Sequence, residues 1–163
     1  SDDLDYKGFI FFGLIKVNDE PYVIEYNCRM GDPETEAVLP RIKNDLVQLL
    51  MDTCNGDLSG SSIEIDSRKA ATIVAVSGGY PDEFEKGLPV EGLSQFVNTS
   101  DHIAFHAGTR ADNGHIVTSG GRVFCATALA SDLEEAIASS KTIINAINFE
   151  NKYFRSDIGY EFL

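Results

Sequence analysis

The chain has 163 residues, 43% hydrophobic and 24% charged, with 26 Asp and Glu against 13 Lys and Arg, a formal charge of −13. A chain of this length buries roughly two thirds of its unfolded surface, enough for a core without disulfides. The negative field repels phosphate backbones and anionic lipid, which excludes nucleic acid and membrane surfaces as main partners; a phosphate held locally or through a divalent cation stays compatible. Phe9–Ile15 and Ala70–Val76, the longest apolar stretches, fall far short of the ~20 residues of a spanning helix. Cys28, Cys54 and Cys125 are odd in number and widely spaced, which argues against a disulfide framework and a zinc site. Reduced cysteines and the lack of a basic or apolar leader at Ser1–Asp5 predict a cytoplasmic protein.

Residues 8–17 and 22–26 are rich in β-formers and flank a turn at Asn18–Pro21, so they predict a β-hairpin. Alternation puts Tyr22, Ile24 and Tyr26 on one face, and Val23, Glu25 and Asn27 on the other. A polar loop at 28–36 precedes a helical pattern that runs to Cys54. Pro40 should break that pattern, with Asn44 or Asp45 as the new N-cap and Gly56 as the C-terminal stop. Leu46, Val47, Leu49, Leu50, Met51 and Cys54 make a wide apolar face. Small polar residues at 57–69 place a domain boundary near 60. Strands are expected at 70–76, 95–98, 103–107 and 122–129, with a hairpin signal at Asp112-Asn113-Gly114. Ser131-Asp132-Leu133-Glu134 reads as a capping box, opening a helix that carries Leu133, Ala136, Ile137, Ile144 and Ile147 on one side. The aromatic tail (Phe149, Tyr153, Phe154, Tyr160, Phe162) is expected to pack in the core.

The stretch from Glu25 to Glu34 carries the most chemistry. Glu25 interrupts an apolar strand, and Asn27 points the same way. A carboxylate and an amide oxygen side by side on a strand suit a hard cation such as Mg²⁺. Arg29 continues that set and could hold a phosphate oxygen bidentately. The plainer alternative is a strand edge with a solvated polar face. Asp32, Glu34 and Glu36 fit either acidic charge at a helix start or, for Asp32, a hold on a cationic substrate amine. The glycine turns Ser77–Pro81 and Thr118–Arg122 could cradle an anion but lack the GK[ST] of a P-loop, and as turns alone they need no ligand. His106 reads as a half-buried, hydrogen-bonded histidine, with His102 and His115 in loops. No Ser, Cys and His spacing suggests a nucleophile with its base.

Glu25-Tyr26-Asn27-Cys28-Arg29 resembles the E-x-N-x-R metal-binding strand of ATP-grasp enzymes. Its continuation, Arg29-Met30-Gly31-Asp32-Pro33-Glu34, is similar to the signature of the phosphoribosylamine–glycine ligase family. Gly78–Pro81, Lys86-Gly87, His106–Thr109, Thr118–Val123 and Arg155–Gly159 also resemble that family, from about Gly8 to Leu163. The resemblance implies an α+β fold: the C-terminal part of an ATP-grasp core (1–60, a β-hairpin plus helices), then a small mixed β-sheet domain with a long helix (61–163).

It also implies an ATP-dependent ligase of purine biosynthesis that joins glycine to 5-phosphoribosylamine through a glycyl phosphate. Glu25 and Asn27 would hold Mg²⁺ or Mn²⁺, Arg29 would stabilise phosphoryl charge, and Gly31, Asp32 and Pro33 would shape the substrate pocket. Members of the family are much longer, so the chain is expected to be a C-terminal portion, inactive alone and partnered by the rest of its polypeptide. Two other readings remain open at this point: an acidic module binding a divalent cation or a partner protein, and another ATP-grasp carboxylate–amine ligase.

Overall fold

The structure, a computed structural model, describes residues 4–162; Ser1, Asp2, Asp3 and Leu163, the ends of the two expected domains, lie outside the described residues. Chain packing separates two units, Ser1–Thr35 with Ile42–Asp66 and Glu36–Arg41 with Ser67–Leu163.

In the first unit the β-rich runs form β1 (Phe11–Val17) and β2 (Glu20–Asn27), paired antiparallel. Asn18 and Asp19 take φ values of 51° and 66°. That is the two-residue mirror-image turn whose twist suits a hairpin. It is tighter than the expected Asn18–Pro21 turn, because Glu20 and Pro21 already pair with Val17 and Lys16. Proline is tolerated there because, among the described residues, β2 pairs with β1 alone.

The register then slips. Gly13 pairs with Glu25 and Leu14 with Val23, which leaves Ile24 as an extra residue. Directly paired residues share a face, so this bulge corrects the expected alternation. Val23 joins Leu14, Phe12 and Tyr26, and the Phe12 and Tyr26 rings meet edge to face with centroids 5.4 Å apart. Tyr22 falls on the face of Glu25 and Asn27, not on that of Tyr26.

Helix α2 (Leu46–Asn55) starts at Asp45, whose side chain accepts from the Gln48 amide at 3.1 Å. Gly56, at φ 75°, closes it in the left-handed conformation that glycine adopts without a Cβ penalty. Asn44, the other cap candidate, instead bonds across to Ser62 and Glu64, beside an Ile42–Ile65 bridge. None of α2 is buried.

The second unit opens with α1 residues Glu36–Val38 (the helix runs Thr35–Val38) and a 3-10 turn at Leu39–Arg41, the break expected at Pro40. Its main sheet has the order β3 (Lys69–Val76), β7 (Arg122–Ala130), β4 (His102–His106), with both pairings antiparallel. A hairpin of β5 (Thr109–Asp112) and β6 (His115–Thr118) turns on Asn113-Gly114, both at positive φ.

Strand β7 is buried continuously from Val123 to Ala130, as expected of a central strand covered on both faces. Helix α3 (Leu133–Ala146) lays Ala136, Ile137, Ser140, Ile143 and Ile144 on the sheet. The alanines of β7 and β3 leave room for it, and Ser140 Oγ donates to the Ala71 carbonyl at 2.8 Å. The core gathers Ile73, Phe124, Ile144, Ile147 and Phe149.

Five expectations on this unit are corrected, the first being that His102 and His115, expected in loops, open β4 and β6. The α3 cap is Asp132, not Ser131: its carboxylate accepts from the Glu135 amide at 2.8 Å, one residue later than the capping box predicts. Residues 95–98 form no strand. A 3-10 turn (Leu93–Gln95) ends there, Phe96 packs on the core, and Asn98 Oδ1 takes the Ala104 amide instead of a ladder bond. Of the tail aromatics, Phe149 and Phe154 join the core, while Tyr153, Tyr160 and Phe162 are exposed. The Tyr153 backbone carries the order there, exchanging hydrogen bonds with Val76. His106 is exposed rather than half-buried, with Nδ1 2.8 Å from Thr109 Oγ1.

Candidate functional site

The expected site residues sit where β2 runs out into the loop 28–34. Because Gly13 is the direct partner of Glu25, the carboxylate side chain passes over a position without a Cβ. A Cβ on Gly13 would lie 2.9 Å from Glu25 Cγ. Asn27, on the same face and paired with Phe11, is half-buried at the strand end.

Beyond it the Tyr6 hydroxyl lies 2.9 Å from the Cys28 carbonyl, tying the start of the loop to the N-terminal segment. Arg29 is exposed and donates from Nη1 to the Met30 carbonyl at 2.9 Å. Its remaining N–H groups are available to an anion.

Gly31 is buried, and its carbonyl accepts from both the amide and the hydroxyl of Thr35. That closes a turn over Asp32, Pro33 and Glu34. The Asp32–Pro33 peptide is cis.

The result is a cleft of about 300 Å³ into which Glu25, Arg29, Gly31, Asp32 and Glu34 all project, with Phe11 and Phe12 as apolar walls. Asn27 and Pro33 flank it without lining it. One cationic and three anionic side chains therefore share a single hollow, a set suited to a ligand that carries both signs or to phosphate oxygens bridged by a cation.

Sequence reasoning missed two contributors, Gly13 and Glu34. A glycine inside a β-rich run is a signal for a bulge or a close approach, and Gly13 lies beside the bulge at Ile24 and makes the close approach to Glu25. Nothing local announced that Glu34 turns back toward Gly31.

The glycine turns of the second unit have a packing explanation. A Cβ on Gly108 would meet Gly120 Cα at 2.7 Å, so the two backbones touch. A Cβ on Gly121 would overlap the Tyr80 ring. These glycines let loops press together, with Ser77 Oγ donating to the Gly120 carbonyl at 3.0 Å. A larger hollow of about 740 Å³, near Glu91, Gln95, His115 and Asn148, contains none of the expected site residues.

Against known proteins, the family described as phosphoribosylglycinamide synthetase, C domain, matches residues 70–161. The ATP-grasp (A) domain of the same synthetase matches residues 1–35. The chain is 40% identical over 160 residues to a phosphoribosylamine–glycine ligase of Fusobacterium nucleatum, covering 98% of this chain and 38% of that protein. It is 43% identical over 160 residues to the ligase of that name from Chlorobaculum tepidum, covering 98% and 37%. A crystal structure of phosphoribosylamine–glycine ligase from Thermotoga maritima superposes with a TM-score of 0.75 at 30% identity, covering 91% of this chain and 36% of that one. The chain thus spans well under half the length of these relatives. It belongs to the phosphoribosylglycinamide synthetase family, whose C domain it carries over residues 70–161.

Proposed function

We propose that the parent polypeptide is an ATP-dependent carboxylate–amine ligase that joins glycine to 5-phosphoribosylamine, giving glycinamide ribonucleotide, ADP and phosphate. The observation that carries this reading is the convergence of Glu25, Arg29, Gly31 and Asp32 on one cleft within the region similar to the synthetase's ATP-grasp domain. In this reading residues 1–60 end the ATP-grasp domain and 61–163 form the C-terminal domain. The names of the relatives favour a ligase over a stand-alone cation-binding or partner-binding module.

Arg29 faces the phosphoryl oxygens as charge accumulates on them, and Gly31, Asp32 and Pro33 shape the pocket for the two substrates. The acyl phosphate of glycine is then attacked by the ribosylamine nitrogen, and phosphate leaves.

Glu25 and Asn27 fit a Mg²⁺ or Mn²⁺ ion. Among the described residues no three His, Cys, Asp or Glu side chains gather into a self-contained metal site. A carboxylate and an amide oxygen that leave the other positions to phosphates and water are the usual set for Mg²⁺. When bound, the ion would neutralise charge on the transferring phosphoryl group.

We place the enzyme in the cytoplasm. A ligase of purine biosynthesis whose cysteines form no disulfide fits that compartment.

The test is Glu25→Ala in the full-length enzyme. Turnover, read as ADP release dependent on both glycine and phosphoribosylamine, is expected to fall at least about a hundredfold, a barrier increase of roughly 2.7 kcal/mol. A loss under about threefold would remove Glu25 from the metal site. The 163-residue chain alone is expected to release no substrate-dependent ADP.

A further inference from the structure

We propose that Glu34 recognises the ammonium group of the amino-acid substrate, and that position 31 is glycine to let the Glu34 carboxylate reach its place. This rests on the ligase reading above.

Gly31 is the one buried residue among the described residues of the first unit. Its φ lies outside the left-handed region, so its backbone conformation is open to any residue. What glycine provides is space for the Glu34 carboxylate, an exposed side chain that would otherwise have to move aside. A Cβ there would overlap the Glu34 carboxylate, with Cδ at 2.9 Å, and would press on the Phe11 ring at 3.0 Å.

The turn closed by Thr35 on the Gly31 carbonyl folds the chain so that Glu34 points back over Gly31. This disfavours the plainer reading of Glu34 as helix-start charge, because α1 has only four residues and the carboxylate lies against Gly31.

Charge and pairing single out Glu34 among the acids of the cleft. Asp32, the first candidate for an amine, is already engaged within the protein, whereas Glu34 makes no hydrogen bond or ion pair among the described residues. In the ligase reading above, Glu25 is the residue assigned to the cation. Arg29 opens into the same cleft. An amino-acid zwitterion needs one binder of each sign, and Arg29 with Glu34 supplies the pair.

Two amines take part in the proposed reaction. Glycine's carries a proton at neutral pH and must be kept from reacting. The ribosylamine nitrogen must be neutral to attack. A carboxylate attracts the first far more than the second. The choice between them is therefore glycine.

The test uses the full-length enzyme and separate KM values for glycine, phosphoribosylamine and ATP. Glu34→Gln is expected to raise the KM for glycine by about tenfold or more, as loss of a charge-assisted hydrogen bond should, with the other two KM values within about twofold. Gly31→Ala should reproduce that rise by displacing the carboxylate, and the double variant should be no worse than Glu34→Gln alone. Glu34→Asp, which keeps the charge but shortens its reach, should fall between.

An unchanged KM for glycine in Glu34→Gln, a shift confined to ATP or to phosphoribosylamine, or multiplying effects of the two substitutions would each overturn the proposal. If Glu34→Gln does not fold, Gly31→Ala and Glu34→Asp decide by the same readout. If the unaltered enzyme shows no glycine-dependent ADP release, the ligase reading itself fails and takes this inference with it. A failure of the variants alone leaves the ligase reading intact.

Discussion

Strand β7 is buried from Val123 to Ala130, whereas every residue of β1 and β2 except Phe11, Gly13 and Asn27 is exposed. The contrast extends to the two units as wholes. Among the described residues, every buried hydrophobic residue lies between Ala71 and Phe149, in the second unit. The first unit exposes Phe12, Leu14, Ile15, Tyr22, Ile24 and Tyr26, each at least half accessible. It is ordered by a turn, a ladder, a capped helix and side-chain bonds to backbone, which stabilise local geometry with little apolar burial. A hairpin of two strands is marginal by itself in water. Exposed apolar surface of this extent marks a face suited to contact with other protein. The second unit holds itself together; the first shapes the candidate cleft.

The sharpest way to break this comparison is to truncate a large side chain in each unit. Phe124→Ala removes a fully buried ring that meets Phe149 edge to face at 6.3 Å, and should cost about 3–5 kcal/mol in urea denaturation of the 163-residue chain. Phe12→Ala, 53% exposed and paired with Tyr26, should cost no more than about 1 kcal/mol. Equal losses would mean that the hairpin is as integral to the cooperative fold as the sheet.

A smaller effect separates the two helices. Asp132→Ala removes the cap of α3, which packs on the core, and should lower stability by about 1 kcal/mol. Asp45→Ala removes the cap of α2, which buries nothing, and should reduce helical circular dichroism with a smaller shift in the global midpoint. A global shift from Asp45→Ala as large as that from Asp132→Ala would contradict the division.

The smallest effect is in pH. The Ser100 hydroxyl, with Arg68, holds the Asp101 carboxyl below its ordinary 3.8, and Arg155 does the same for Asp157. A depressed folded-state pKa contributes stability that is present above the unfolded value and lost as pH falls through the folded one. The melting temperature should therefore drop as pH falls below about 4, and Asp157→Asn should shallow that drop slightly, since both pairs are solvent-screened. A melting temperature that rises on acidification would refute the assignment.

Much of the architecture was legible because its causes are local. Asn113-Gly114 reports its own turn, Asp45 and Gly56 report the ends of a helix, and the apolar spacing in 133–147 reports the buried face of α3. Those signals depend on a few neighbouring residues and on backbone preference. The strand expected at 95–98 failed because Phe96 is apolar for packing on the core, not for pairing. The α3 cap moved by one residue because Ser131 and Asp132 can both cap, and the helix entry chose between them. Tyr153 and Phe162 misled because aromatic content reports apolar surface and not where that surface ends up.

For the site, the sequence by itself determined which groups are available and in what order: Glu25, Asn27 and Arg29 on a strand and its continuation, then Gly31, Asp32 and Pro33. Spacing along a strand is covalent and needs no folding partner to be read. Tertiary structure decided what those groups meet. Pairing across the hairpin created the bulge at Ile24 that separated Val23 from Glu25, and closure of the 31–35 turn brought Glu34 over Gly31. Register and loop closure depend on residues distant along the chain, so no local pattern encodes them.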